Sequence, residues 1–164
     1  MATQQKNLSD FSHTEIPSAA PYRFGIVTAQ WNAAITGALY EGAYQLLLKH
    51  GALQENIVSA LVPGSYELTS GADIMLTSQN VDAVICLGCV IRGETPHFDY
   101  ICQAVAAGIT QVSLKHTKPV IFGVLTTDNL QQAEDRAGGK HGNKGDEAAA
   151  SAVLMVDLQK TLLK

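Results

Sequence analysis

The stretch AVICLGCVIRGETPHFDYICQAVAAGITQVSLKH, residues 83–116, decides the fold. Its first nine residues are Val, Ile, Leu, Ala and Cys around one glycine, with no polar alternation, which is the composition of a strand covered on both faces. From Phe98 the segment reads as a helix. Arg92, Gly93, Glu94, Thr95, Pro96 and His97 separate the two. Such a junction is either a plain surface turn or a loop that holds an anion beside a titratable base.

The same strand-then-helix unit repeats on either side. YRFGIVTA (22–29) reads as a strand before NAAITGALYEGAYQLLLKHG (32–51), where Ile35, Leu39, Leu46 and Leu47 recur at helical spacing, Asn32 is a candidate N-cap and Gly51 a stop. NIVSALV (56–62) and the turn Pro63-Gly64 precede a helix through ELTSGADIMLTSQ (67–79). PVIFGVLTT (119–127) leads through Asp128-Asn129 into the short helix LQQAEDRAG (130–138), and a last long helix begins near Asn143. Near-continuous apolar strands alternating with helices predict a parallel sheet covered on both faces, because parallel strands need crossovers. The expected architecture is a three-layer α/β sandwich around a four-stranded parallel sheet.

The chain has 164 residues, of which 46% are hydrophobic and 16% charged, enough for one domain with a substantial core. That domain spans 22–164. Residues 1–21 are polar, carry two prolines and lack an amphipathic period, and read as a tail or as a strand lent to a neighbouring subunit. A net charge of −4 excludes the broad basic face of a nucleic-acid binder. No apolar run reaches the roughly 18 residues of a membrane span, and no basic region precedes an apolar signal core, so a cytoplasmic protein is expected. Cys86 and Cys89 form a C-x-x-C pattern, but three-residue spacing on a strand directs them to opposite faces. Without a second pair or an H-x-x-x-H, no metal site is expected.

In open parallel sheets ligands bind beyond the carboxyl ends of the strands. After the first strand stand Trp31, either core or a flat face for a planar heterocycle, and Asn32. After the second, Ser65, Tyr66 and Glu67 open a helix and suit either ligand hydroxyls and amide edges or simple capping. After the third, the N–H groups of Glu94 and Thr95 lie before a helix start, where anions are favoured, and Pro96 pre-organises the loop. His97 follows, a surface imidazole by itself but a candidate acid/base beside an anion loop. The fourth region adds Phe122, Arg136 and the glycine-rich AGGKHGNKGDE with Lys144. Arg136 suits bidentate phosphate binding or a helix terminus. Neither G-x-x-x-x-G-K-[ST] nor G-x-G-x-x-G is present.

Taken together, the W-N after the first strand, VPGSYE (62–67), LGCVIRGETPHFDY (87–100), PVIFGVLTT (119–127), DRAG (135–138) and GNKG (142–145) resemble the 6,7-dimethyl-8-ribityllumazine synthase family of riboflavin biosynthesis, over nearly everything after Pro21. The resemblance implies a flavodoxin-like domain that condenses 5-amino-6-(D-ribitylamino)uracil with 3,4-dihydroxy-2-butanone 4-phosphate, a transferase reaction without metal or organic cofactor. Trp31 would stack on the pyrimidine, where Phe is frequent. Asn32, Ser65, Tyr66 and Glu67 would border ring and ribityl chain, and Cys89, Val90 and Ile91 would offer backbone to the uracil edge. Glu94 and Thr95 match phosphate-binding positions and His97 the proton-transfer residue. Phe122, Arg136 and Lys144 match residues that arrive from an adjacent subunit.

The resemblance thus implies a homo-oligomer of pentamers with interfacial sites, with the icosahedral capsid left open by the short link 138–145. Glu94 stands where small residues are common, so its carboxylate is expected to turn away from the phosphate. A non-catalytic flavin- or lumazine-binding protein and a purely structural shell protein are the readings from other classes.

Overall fold

Strands β1 (Phe24–Ala29), β2 (Ile57–Val62), β3 (Ala83–Ile91) and β4 (Val120–Thr127) form one all-parallel sheet in the order β2-β1-β3-β4. The computed structural model describes residues 7–163. Each parallel pairing requires a crossover, which α1 (Ala33–Lys49), α2 (Leu68–Ser78) and α3 (His97–His116) supply. After β4 come a five-residue helix α4 (Leu130–Glu134), a small antiparallel hairpin of β5 (Ala137–Gly139) and β6 (Gly142–Asn143), and α5 (Lys144–Leu162). The expected three-layer α/β sandwich is what the chain forms.

Two cores lie on the two sheet faces. Phe24, Ile26, Ile85 and Leu87 pack with Leu39 and Leu47 of α1 and Val153 of α5. Val27, Val84 and Val124 pack on the other face with Leu68 and Met75 of α2 and Val105 and Ile109 of α3. Burying each such side chain contributes about 1.5–3 kcal/mol, which makes this two-sided burial the main support of the sheet. Cys86 belongs to the second core and Cys89 to the first, as the two-residue period of a strand requires.

The segment 130–138 departs from the sequence reading. Its helix stops at Glu134, and residues 137–143 form the hairpin, with Gly138 (φ 104°) and Gly142 (φ 80°) in the left-handed region that L side chains avoid. Gly138 therefore belongs to the hairpin and not to the helix, which has already ended at Glu134. The long helix that follows starts as expected, with Asn143 Oδ1 accepting from Gly145 N–H at 2.8 Å and Asp146 and Glu147 in the first turn.

Residues 7–23 hold no strand and lie against the chain's own surface. Leu8 N–H donates to His141 O at 2.7 Å, Asn143 N–H donates to Ser9 Oγ at 2.9 Å, and Tyr22 OH donates to Asp157 Oδ1 at 3.0 Å. Residues 1–6 of the expected tail fall outside the described residues.

Candidate active site

The carboxyl ends of β1, β2 and β3 open onto a cleft of about 770 Å³. Trp31 and Asn32 border it after β1, Gly64 to Glu67 after β2, Cys89 to Ile91 at the end of β3, and His97 and Ile101 from α3. Segments far apart in sequence meet there because the strand order sets β1 between β2 and β3.

The β1–β2 edge continues past the strands. Gln30 N–H donates to Val62 O at 2.9 Å and Trp31 N–H to Pro63 O at 3.2 Å, which carries Trp31 to the rim beside the Pro63-Gly64 turn. Its side chain is 73% exposed, so Trp31 is not core but a flat apolar face turned to the cleft and solvent.

Asn32 occupies the N-cap position of α1 without capping it. Its backbone is left-handed (φ 58°, ψ 47°), its side chain makes no cap hydrogen bond, and Nδ2 instead donates to Cys89 O at 3.0 Å. The sequence reading of Asn32 as an N-cap is corrected accordingly. Asn tolerates this conformation better than most residues, and the rotated side chain ties the start of α1 to β3.

The β2–α2 turn is closed from within. Gly64 N–H donates to Glu67 Oε2 at 3.0 Å, which commits that carboxylate oxygen to the turn. Ser65 Oγ is buried and has no hydrogen-bond partner. A buried hydroxyl without a partner is costly unless something else satisfies it, and this one borders the cleft. The turn can sit so close to the sheet because β3 carries Gly88 there: an added Cβ would come within 2.7 Å of Ser65 Oγ and 2.8 Å of Leu68 Cδ1.

β3 outruns its neighbour. Pairing with β1 ends at Thr28↔Leu87, whereas pairing with β4 continues to Ile91↔Thr127. Along Gly88–Ile91, the backbone groups that alternate toward the β1 side therefore face the cleft instead of a ladder. Cys89 O, bound by Asn32, is one of them.

The thiols contribute no nucleophile. Burial pushes Cys86 up to about 12 and Cys89 up to about 11, so both stay protonated near neutral pH. His97, the first residue of α3, is exposed and brings an imidazole to the cleft. Glu94 and Thr95 are exposed in the loop just before, and neither side chain lines the cleft in the single chain.

The remaining candidates lie elsewhere. Phe122 borders a separate groove of about 310 Å³ with Ile109 and Leu114 of α3. Arg136 Nη1 donates to Gln132 O at 2.9 Å, and Lys144 Nζ is 3.1 Å from Glu147 Oε1. One chain thus gathers Trp31, Asn32, Ser65, Tyr66, Glu67, Cys89, Val90, Ile91 and His97, but not Phe122, Arg136 or Lys144. The sequence reading missed Gly64 and Ile101. Ile101 was findable, since four residues after His97 is the same helix face.

Against known proteins, residues 21–160 match the family model described as 6,7-dimethyl-8-ribityllumazine synthase. The chain is 61% identical over 156 residues to the protein of that name from Cytophaga hutchinsonii, covering 95% of this chain and 98% of the relative. It is 53% identical over 164 residues to the one from Phocaeicola vulgatus, covering 100% and 98%. A family match over most of the chain, and relatives this similar across nearly their full lengths, agree with a sheet whose strand ends frame one aromatic-rimmed, imidazole-bearing cleft: the chain belongs to the 6,7-dimethyl-8-ribityllumazine synthase family.

Proposed function

We propose that this protein condenses 5-amino-6-(D-ribitylamino)uracil with 3,4-dihydroxy-2-butanone 4-phosphate to give 6,7-dimethyl-8-ribityllumazine, phosphate and water. The observation that carries the reading is the union, in one cleft, of an exposed indole, an unladdered strand edge, an orphaned buried hydroxyl and an imidazole at a helix start.

Each part has a task. Trp31 stacks on the pyrimidine, whose polar edge meets the backbone of Cys89 to Ile91. Asn32 holds β3 and α1 around that edge, and Ser65, Tyr66 and Glu67 border the ribityl chain. The free amine attacks the ketone and loses water to an imine. Proton removal beside the imine expels phosphate, and the second amine closes the ring with loss of another water. His97 moves these protons, and the amides of Glu94 and Thr95 at the start of α3 receive the departing dianion. Holding two reactants in register supplies much of the acceleration.

Phe122, Arg136 and Lys144 complete the cleft of a neighbouring copy, with Arg136 on the phosphate and Phe122 and Lys144 beside the pyrimidine. Their positions off their own chain's cleft support this division, and so does the exposure of Leu61, Ile74, Leu114 and Leu162. The assembly is built of pentamers in the cytoplasm, docked into an icosahedral capsid, with 22–164 as the synthase domain and residues 1–21 an N-terminal tail.

Mixing the protein with both substrates and following lumazine fluorescence and phosphate release tests the reaction. Stoichiometric release of both products supports it. Tight pyrimidine or flavin binding without turnover replaces it with a binding protein. Light scattering tests the assembly.

A further inference from the structure

Arg92 does not line the cleft, yet three parts of the molecule meet on it. Its N–H donates to Thr127 O at 2.8 Å, closing the end of the β3–β4 pairing. Its Nε donates to Asp128 Oδ1 at 3.1 Å and its Nη1 to Asp99 Oδ1 at 3.3 Å, while Cζ stands 4.1 Å from the centroid of the Phe98 ring. Phe98 and Asp99 immediately follow His97 in the first turn of α3.

Beyond the backbone bonds from Asp99 and Tyr100 N–H to Pro96 O at 3.0 and 3.4 Å, that turn has no side-chain cap. Pro96 holds the N-cap position, and a Cβ placed on Gly93 would meet nothing within 4 Å. The loop between β3 and α3 therefore has no packing at Gly93. A planar guanidinium that grips Asp99, stacks on Phe98 and is anchored through Asp128 to the β4–α4 junction sets the rotation of this turn in a way a point charge cannot.

We infer that Arg92 is a positioning residue that clamps the first turn of α3 and thereby holds His97 and the 93–95 loop where proton transfer and phosphate departure require them. The inference rests on the condensation reading of the cleft. The ion pairs are exposed, with side-chain exposures of 44% for Arg92, 55% for Asp99 and 67% for Asp128, so they contribute little to global stability. Position and stability are thus separable by experiment.

The test uses the full-length protein in its native assembly, with Arg92→Ala, Arg92→Lys and Asp99→Asn. Because a displacement of about 1 Å can cost on the order of 100-fold in rate, Arg92→Ala is expected to lower kcat by about 10- to 100-fold. The KM for the pyrimidine should stay within about twofold, since none of its contacts is removed. Amide hydrogens of residues 93–100 should exchange faster while those of 105–112 keep their protection. Arg92→Lys recovers part of kcat because an ammonium holds one carboxylate but neither forks nor stacks, and Asp99→Asn falls between it and the parent.

Unchanged kcat in folded Arg92→Ala overturns the inference, and so does a loss of kcat that merely tracks the loss of folded protein. If Arg92→Ala does not fold, parent-like kcat and exchange in Asp99→Asn overturn it instead. A parent protein without turnover removes the condensation reading, and this inference with it, whereas an active parent with an equally active Arg92→Ala removes this inference alone.

Discussion

Trp31, Asn32 and His97 reach the cleft by three different routes: a backbone ladder that runs one residue past β2, a left-handed backbone that turns an amide onto β3, and the first residue of a helix. Their substitutions should separate accordingly. His97→Ala removes an exposed imidazole, the proposed proton carrier, so kcat should fall by about 100- to 10,000-fold with pyrimidine affinity largely kept. Arg136→Ala should chiefly raise the KM for the phosphorylated ketone; steady-state kinetics with each substrate varied checks both. The thiols give a further outcome. Burial holds Cys86 near 12 and Cys89 near 11, so at pH 8 both are almost wholly protonated and covered. Iodoacetamide followed by peptide mapping should label only the half-buried Cys102 in the folded protein and all three after unfolding.

Among the elements, β3 does most to make the site. It is nine residues long beside a six-residue β1, and the overhang leaves an unladdered edge where the cleft needs polar backbone. The helices are fixed at their starts by unlike means, and only some tolerate change. Asn143 accepts from Gly145 N–H at 2.8 Å and donates to Ala38 O at 2.9 Å, so one side chain caps α5 and pins it to α1. Asn143→Ala should therefore cost about 1–2 kcal/mol, read as a lower urea midpoint with an unchanged slope.

In the whole molecule, α2 and α3 are joined at the edge away from the cleft by Asp73, whose carboxylate meets Lys115 Nζ at 2.8 and 2.9 Å and His116 Nε2 at 2.6 Å. The Lys115 hydrogen bond first, then that of His116, holds Asp73 below its ordinary 3.8. A depressed carboxyl stabilises the fold above its unfolded value and loses that contribution as pH falls through the folded one. Thermal midpoints of Asp73→Asn and the parent should thus differ at pH 7 and draw together only as pH falls below the ordinary 3.8. Side-chain exposures of 36% for Asp73 and 62% for Lys115 keep the effect modest. No helix among the described residues is long and apolar enough to cross a membrane, so the exposed Leu114 and Ile74 do not belong to a spanning helix.

How much of this was legible follows from how local each cause is. Two-residue periodicity and apolar runs are local, so the four strands, their parallel pairing, the opposite fates of Cys86 and Cys89 and the helix starting at Asn143 could be read directly. Residues 130–138 read as a helix and 138–145 as a plain link, whereas 137–143 form a hairpin, because a hairpin depends on φ values that composition leaves open. Asn32 is the sharper case: its residue type and place predicted a cap, and only the nearness of Cys89 O, 57 residues away, gave its side chain another partner. The strand ends could be named as the place to look from the alternation alone. Which side chains share one cleft, and that Phe122, Arg136 and Lys144 stand apart from it within their own chain, depended on strand order and on the unequal lengths of β1 and β3, which are properties of packing between distant segments rather than of any one of them.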